Sequence, residues 1–203
     1  SLVDHLAGNE LIFPSQHGFM KKRSCLTNLL EYLEILLKHV DNGHSVDVIY
    51  LDFSKAFDKV PHRRLSNIMK AHGINGNILT WIENWLSGRK QRVILNGEAS
   101  FWKFVLSGVP QGSVLGPILF IIFINPFDLS IKELVDIISK FADDSKMGKI
   151  VDTEEDSVSL QDAINRIVHW AEQWQMEYNV DKCHVLHFGK NNPKRPYTMS
   201  GLV

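Results

Sequence analysis

A chain of 203 residues that is 44% hydrophobic is long enough to bury one substantial core, as a single domain or as two closely packed subdomains of a soluble globular protein. Its 22 lysines and arginines against 23 acidic residues leave a formal charge of -1, which excludes a nucleic-acid binder working through a basic surplus over the whole chain. Any basic surface is local, and Lys21, Lys22 and Arg23, then Arg63 and Arg64, then Arg89, Lys90 and Arg92 are the candidates. Cys25 and Cys183 are too few for a disulfide scaffold and lack the paired spacing of a zinc site, which favours a reducing compartment. The chain opens at Ser1 without a signal-peptide pattern and stops at Met199-Ser-Gly-Leu-Val203 without a terminating one, so a fragment of a longer protein is expected.

In chain order, Leu26, Leu29, Leu30, Leu33, Leu36, Leu37 and Val40 recur at helical spacing, and Asp41-Asn42-Gly43 supplies a stop. Val46-Asp-Val-Ile-Tyr-Leu51 reads as a buried strand running into Asp52, followed by a helix from about His62 to near Gly73. A further helix carries Trp81 and Trp85 and closes at Gly88. Two apolar runs, 91–95 and 101–105, flank Asn96-Gly97, a hairpin dipeptide, and the residues up to Ser100 predict a longer loop than two residues.

The run Pro117-Ile-Leu-Phe-Ile-Ile-Phe-Ile124 falls short of the ~18 residues that a membrane span needs and reads as a buried core helix starting near Ser113. Two short apolar runs between Val135 and Lys149 surround Ala142-Asp-Asp-Ser145, consistent with a hairpin tipped by both acids. Leu160, Ile164, Ile167, Val168, Ala171 and Trp174 form another helical stripe, and Cys183-His-Val-Leu-His-Phe188 a last strand. Strands and helices without a steady alternation predict an α+β fold, a sheet with helices on one face.

Asp52 at a strand end and Asp143 with Asp144 at a hairpin tip bring chemistry into view. Nucleotide transfer needs an acidified 3′ hydroxyl, compensation of charge on the phosphorus and a stabilised pyrophosphate; two Mg²⁺ ions about 3.5–4 Å apart supply all three. Magnesium prefers carboxylate and phosphate oxygens and keeps several waters, so two or three aspartates on rigid strands suffice. Each acid also has a plainer explanation, since adjacent aspartates form turns and Asp52 can cap the helix that follows.

The company these acids keep carries a family resemblance. Leu51-Asp-Phe-Ser-Lys-Ala-Phe-Asp-Lys-Val-Pro-His62, Gly108-Val-Pro-Gln-Gly-Ser-Val-Leu-Gly-Pro117 and Phe141-Ala-Asp-Asp144 resemble, in order and spacing, the first three palm motifs of reverse transcriptases from jockey-like, LINE-type (non-LTR) retrotransposons. Gln16-His-Gly-Phe-Met-Lys-Lys-Arg-Ser24 resembles their fingers motif and Asn179-Val-Asp-Lys182 their fourth palm motif. Phe141 stands where many relatives have tyrosine, and Met20 where arginine is frequent.

The resemblance implies a right-hand polymerase fold: partial fingers over residues 1–45, palm over 46–203 with an interposed fingers segment at about 63–107, and no thumb. It implies an RNA-directed DNA polymerase core, with a catalytically inactive, nucleic-acid-binding remnant as the alternative. Asp52, Asp143 and Asp144 would hold two Mg²⁺ ions, or Mn²⁺ in their place, with the Phe53 main chain beside them and the triphosphate.

Lys182 would protonate the leaving pyrophosphate, or be a surface lysine; Arg23 would clamp triphosphate oxygens, or belong to a solvated basic face. Phe57 would exclude a ribose 2′-hydroxyl, or be a core phenylalanine; Gln111 and Gly112 would border the nucleotide and template base, the glycine allowing close backbone approach, or form a turn before a helix. The partners implied are an RNA template, a DNA primer and deoxynucleoside triphosphates, with no membrane, inside the cell in nucleus or cytoplasm. His62, His169 and His187 are expected to be structural.

Overall fold

The computed structural model describes residues 1–199. In chain order the elements are α1 (Leu2–Gly8), α2 (Cys25–Asp41), β1 (Val46–Leu51), α3 (Ala56–Lys59), α4 (His62–Ala71) and α5 (Gly76–Leu86). Four two-residue strands follow, β2 (Lys90–Gln91), β3 (Ile94–Leu95), β4 (Glu98–Ala99) and β5 (Lys103–Phe104), then α6 (Leu115–Ile124) and α7 (Phe127–Ile131). The chain continues through β6 (Ile137–Phe141), β7 (Asp144–Ile150), α8 (Glu154–Trp174) and β8 (His184–Phe188). The described residues divide into two compact units, residues 1–11 with 55–123 and residues 12–54 with 124–199.

In the first unit α4 packs on α5, and the Ser66 hydroxyl donates to Glu83. His5 of α1 donates through Nε2 to the carbonyl of His72, 2.8 Å away. The apolar run 117–124 is helical, and Leu119 to Ile124 are all buried, the condition of a helix that is apolar on every side. Among the described residues no helix is long and apolar enough to cross a membrane. Asn96 and Gly97 have φ of 51° and 85° and form a two-residue turn between β3 and β4, shorter than the loop expected from sequence. Both residues at positive φ match the right-handed twist of the flanking strands, which lets pairing close directly on the turn.

The second unit is built on an antiparallel sheet of order β6-β7-β1-β8. Side chains alternate across β1. Val46, Val48 and, partly buried, Tyr50 pack with Tyr32 and Leu36 of α2. On the opposite face Asp47 accepts from the Tyr197 hydroxyl at 2.6 Å, and Ile49 lines a cavity together with Ile164 of α8. Helices α7 and α8 pack together on that face; α2 lies across the other, against β6 and β1. Capping boxes start both long helices, Ser24 with Thr27 in α2 and Thr153 with Asp156 in α8.

The leucine stripe of α2 supplies only part of its buried side, through Leu36 with Leu33 and Val40 packed beside it. Asn28, Tyr32 and Leu36 face the sheet, whereas Leu26, Leu29, Leu30 and Leu37 are exposed by 62, 45, 57 and 51%. Polar contacts set this rotation: Asn28 Nδ2 donates to Ser139 Oγ at 2.8 Å and to the Lys140 carbonyl at 3.2 Å, and the Tyr50 hydroxyl donates to that of Tyr32.

Candidate active site

Of the acids expected to act together, Asp52 and Asp144 meet on the α2 face of the second unit's sheet, and Asp143 stands in the turn beside them. Strands β1 and β7 pair up to Leu51↔Ser145, so the next residues outward are Asp52 and Asp144, whose side chains fall on the same face as Tyr50 and Lys146. The hairpin of β6 and β7 closes with Phe141 opposite Asp144, leaving Ala142 and Asp143 as the turn. Asp144 is exposed and Asp143 half-buried.

Asp52 is fixed from beneath. Phe53, buried, stacks on Tyr178 with ring centroids 4.5 Å apart and leans on Trp170 at 6.3 Å. Phe53 and Tyr178 form an antiparallel bridge whose hydrogen bonds run from Ser54 N–H to Glu177 and from Asn179 N–H to Asp52, both 2.8 Å. In such a bridge the main-chain groups of Phe53 itself point to the other side, toward the strand that bears Asp144. This aromatic support had no signal in the local sequence, because Tyr178 and Trp170 arrive from more than a hundred residues downstream.

The hairpin tip is held by a residue that the sequence placed only within the fingers motif. Gln16, 1% exposed, accepts through Oε1 from the N–H groups of Ala142 (2.9 Å) and Gly18 (2.7 Å), and donates through Nε2 to the Ala142 carbonyl (3.3 Å). The clamp restrains Ala142 at φ of 57°, a left-handed conformation that costs free energy in a residue with a Cβ. Gly18 is needed for close approach, since a Cβ there would lie 2.2 Å from the Ala142 nitrogen. Residues 15–17 also bridge β6 in parallel, with Lys140 N–H donating to Ser15 and His17 N–H to Lys140, each at 2.8 Å.

The electrostatics suit a cation. Burial pushes the Asp143 carboxyl above its ordinary range, and the nearby charges of Asp144 and Asp52 push it further, partly offset by its own main-chain N–H. Lys182 Nζ stands 3.6 Å from Asp52 Oδ2 and is well exposed. Lys146 Nζ lies 4.6 Å from the Tyr32 ring centroid and 5.7 Å from that of Tyr50; burial holds its pKa below the usual lysine value, opposed by Asp144. Asp52, Asp144, Lys146 and Lys182 open on a cleft of about 760 Å³, lined also by Cys25 and Leu186.

Three carboxylates with oxygen donors fit hard divalent ions, and mutual repulsion at a half-buried Asp143 favours one. Among the described residues no three His, Cys, Asp or Glu side chains are gathered tightly enough to enclose an ion by themselves. A magnesium site that draws further ligands from water and phosphate does not need such a cage.

The other expected residues are distributed as follows. Arg23 has its Nη1 engaged by the carbonyls of Pro14 and Gln16, so it braces the loop that carries the Gln16 clamp. Phe57, Gln111 and Gly112 belong to the first unit. There Phe57 is half-buried and stacks on Phe120, centroids 4.5 Å apart. Gln111 and Gly112 are exposed, and Gly112 is at φ of 77° with open space where a Cβ would sit. Close approach within this motif falls instead on Gly108, whose Cβ would come within 2.7 Å of the Asp58 main chain.

His62 donates to the Gly108 carbonyl at 2.8 Å and His187 Nδ1 pairs with buried Asp47 at 2.7 Å, both structural contacts. Cys25 and Cys183 are free thiols.

Comparison with known proteins gives the chain's relatives. The chain is 30% identical over 175 residues to the RNA-directed DNA polymerase from mobile element jockey of Drosophila funebris, covering 83% of this chain and 19% of the relative. It is 28% identical over 192 residues to the jockey polymerase of Drosophila melanogaster, covering 89% and 20%. The chain thus spans about a fifth of the length of these relatives.

Its fold is shared with apo telomerase from Candida tropicalis truncated from the C-terminal domain, at a TM-score of 0.68 and 14% identity, over 98% of this chain and 41% of that one. A telomerase from Candida albicans superposes at a TM-score of 0.64 with 15% identity, over 91% of this chain and 34% of that one. The family model described as "Reverse transcriptase (RNA-dependent DNA polymerase)" matches residues 1–202, and the chain belongs to that family.

Proposed function

We propose that this chain is the catalytic core of an RNA-directed DNA polymerase that extends a DNA primer along an RNA template. The observation that carries the proposal is the meeting of Asp52 with Asp144 on one sheet face, at the open end of adjoining strands, with Asp143 in the adjoining turn near both charges. In this assignment residues 1–45 and about 63–107 act as fingers and the rest of 46–203 as palm.

Asp52, Asp143 and Asp144, with the Phe53 main chain, would hold two Mg²⁺ or Mn²⁺ ions. Bound there, divalent ions acidify the primer hydroxyl and offset charge on the transferred phosphate. Lys182, beside Asp52 and exposed, is suited to give a proton to the departing pyrophosphate. Arg23 keeps guanidinium nitrogens beyond Nη1 for triphosphate oxygens. Phe57 is assigned to exclude a ribose 2′-hydroxyl, and Gln111 and Gly112 to border the nucleotide and template base. Residence in nucleus or cytoplasm follows from the same assignment.

The test is primer extension on an RNA template with deoxynucleotides, with and without Mg²⁺, comparing the chain with an Asp143→Ala, Asp144→Ala variant. Extension that needs the metal and falls to background in the variant is expected. Extension surviving the double substitution would remove the site assignment. An unmutated chain that binds template and primer but does not extend would leave it only a binding role.

A further inference from the structure

We propose that α2 carries a self-association seam, which pairs antiparallel with α2 of a second copy of this chain. Leu26, Leu30, Leu33, Leu37 and Val40 succeed one another at intervals of four, three, four and three residues, the spacing of a coiled-coil seam. This line runs about a third of a turn round the helix from Asn28, Tyr32 and Leu36, which face the sheet. Leu26, Leu30 and Leu37 are each more than half exposed, Leu29 flanks them at 45%, and Leu33 and Val40 are only partly covered. A continuous row of apolar side chains on the surface is costly to hydrate and marks a contact.

The charges on α2 and just ahead of it identify the occupant. Within the helix Glu31, Glu34 and Asp41 stand against Lys38, which disfavours phosphate or an anionic lipid surface on this face and leaves protein. Lys21 and Lys22 precede the first turn, while Glu34 and Asp41 lie in the second half. All four are exposed, and their side chains have no ion-pair or hydrogen-bond partner among the described residues.

An antiparallel pair centred between Glu31 and Tyr32 sets Leu26 against Leu37 of the second copy and Leu30 against Leu33, each twice about the two-fold axis. The same register brings Asp41 of the second copy to the end of α2 where Lys21 and Lys22 stand, so unlike charges meet at both ends. Opposed helix dipoles favour the same arrangement. A parallel pair would set lysines beside lysines and Asp41 beside Asp41.

The pairing does not depend on the polymerase proposal and is measured without substrate. The experiment is sedimentation equilibrium of the 203-residue chain at roughly 1 to 100 µM, with folding of each variant checked by circular dichroism. A contact limited to one helix per copy falls at the small end of protein interfaces, so association at micromolar rather than nanomolar concentration is expected.

Leu30 stands close to the two-fold axis and therefore comes near its own counterpart. Leu30→Glu and Leu30→Lys should each sediment as single chains, because like charges meet across the axis. An equimolar mixture of the two should associate about ten-fold or more above either variant alone. Asp41→Lys, at an exposed position where a cation suits the helix end, should weaken association about three-fold or more.

A chain that stays single over the whole range, a Leu30→Glu variant that associates as the unmutated chain does, or a mixture no tighter than its components overturns the proposal. Unchanged association of Asp41→Lys overturns the antiparallel register.

Discussion

At the scale of single residues, the side chain with most leverage on the acidic hairpin is Gln16, which bonds the turn without touching a carboxylate. Gln16→Ala leaves the buried N–H groups of Ala142 and Gly18 without their acceptor, and each such group costs about 1–3 kcal/mol. The expected outcome is a lower urea midpoint and faster hydrogen exchange at Ala142. Gln16→Glu keeps the acceptor but loses the donor to the Ala142 carbonyl and buries a charge beside the acids, so it should not restore the protection, and exchange in either variant equal to that of the unmutated chain would disprove the clamp.

Asp143 gives a prediction with a definite sign. Its folded pKa is raised above the ordinary 3.8, so its contribution to stability is fully present below that value and lost as pH rises through the folded pKa. Ionised Asp143 therefore weighs against folding at neutral pH in chelator-treated buffer. Asp143→Asn should raise Tm there by a few degrees, with the gain shrinking as pH falls into the carboxylate range. A variant that melts lower at neutral pH would contradict the assignment of strain to this carboxyl.

At the scale of elements, the heptad-like leucines foretold the α2 helix but not its orientation. Periodicity reports that one side is apolar; it does not report that Asn28 will bond Ser139 and turn Tyr32 and Leu36 inward. Leu36→Ala should cost about 2–5 kcal/mol by denaturant titration, as a fully enclosed side chain does. Leu30→Ala, at an exposed position, should stay within about 0.5 kcal/mol. Similar costs at both positions would mean that Leu30 is buried after all. The ribbon of β2 to β5 was legible as a hairpin from Asn96-Gly97, while its short turn depended on β4 pairing at once with β3.

At the scale of the whole molecule, the second unit carries an ion pair that the sequence left unmarked. Lys140, fully buried, bonds Asp128 of α7, which also accepts from Ser15, so β6, α7 and the segment ahead of the Gln16 clamp share one polar joint. Burial lowers the Lys140 pKa and Asp128 raises it back in part. Lys140→Met strands a buried carboxylate and should cost about 3–5 kcal/mol in thermal or denaturant unfolding. Lys140→Met with Asp128→Asn should recover a large share of that loss. A single variant as stable as the unmutated chain would show that the pair contributes nothing to the joint.

Sequence by itself determined the family, through five ordered motifs, and the local settings of the acids: Asp52 where a strand ends, Asp143 and Asp144 where a hairpin turns. These follow from turn chemistry and apolar spacing over a few residues, which are properties of neighbours in the chain. Only the tertiary structure decided that β1 lies beside β7, which brings Asp52 next to Asp144. It alone decided that Gln16 would reach a turn 126 residues away, and that Tyr178 would stack under Phe53. Those contacts depend on strand order and on which side chains fill the same space, and no local pattern encodes either.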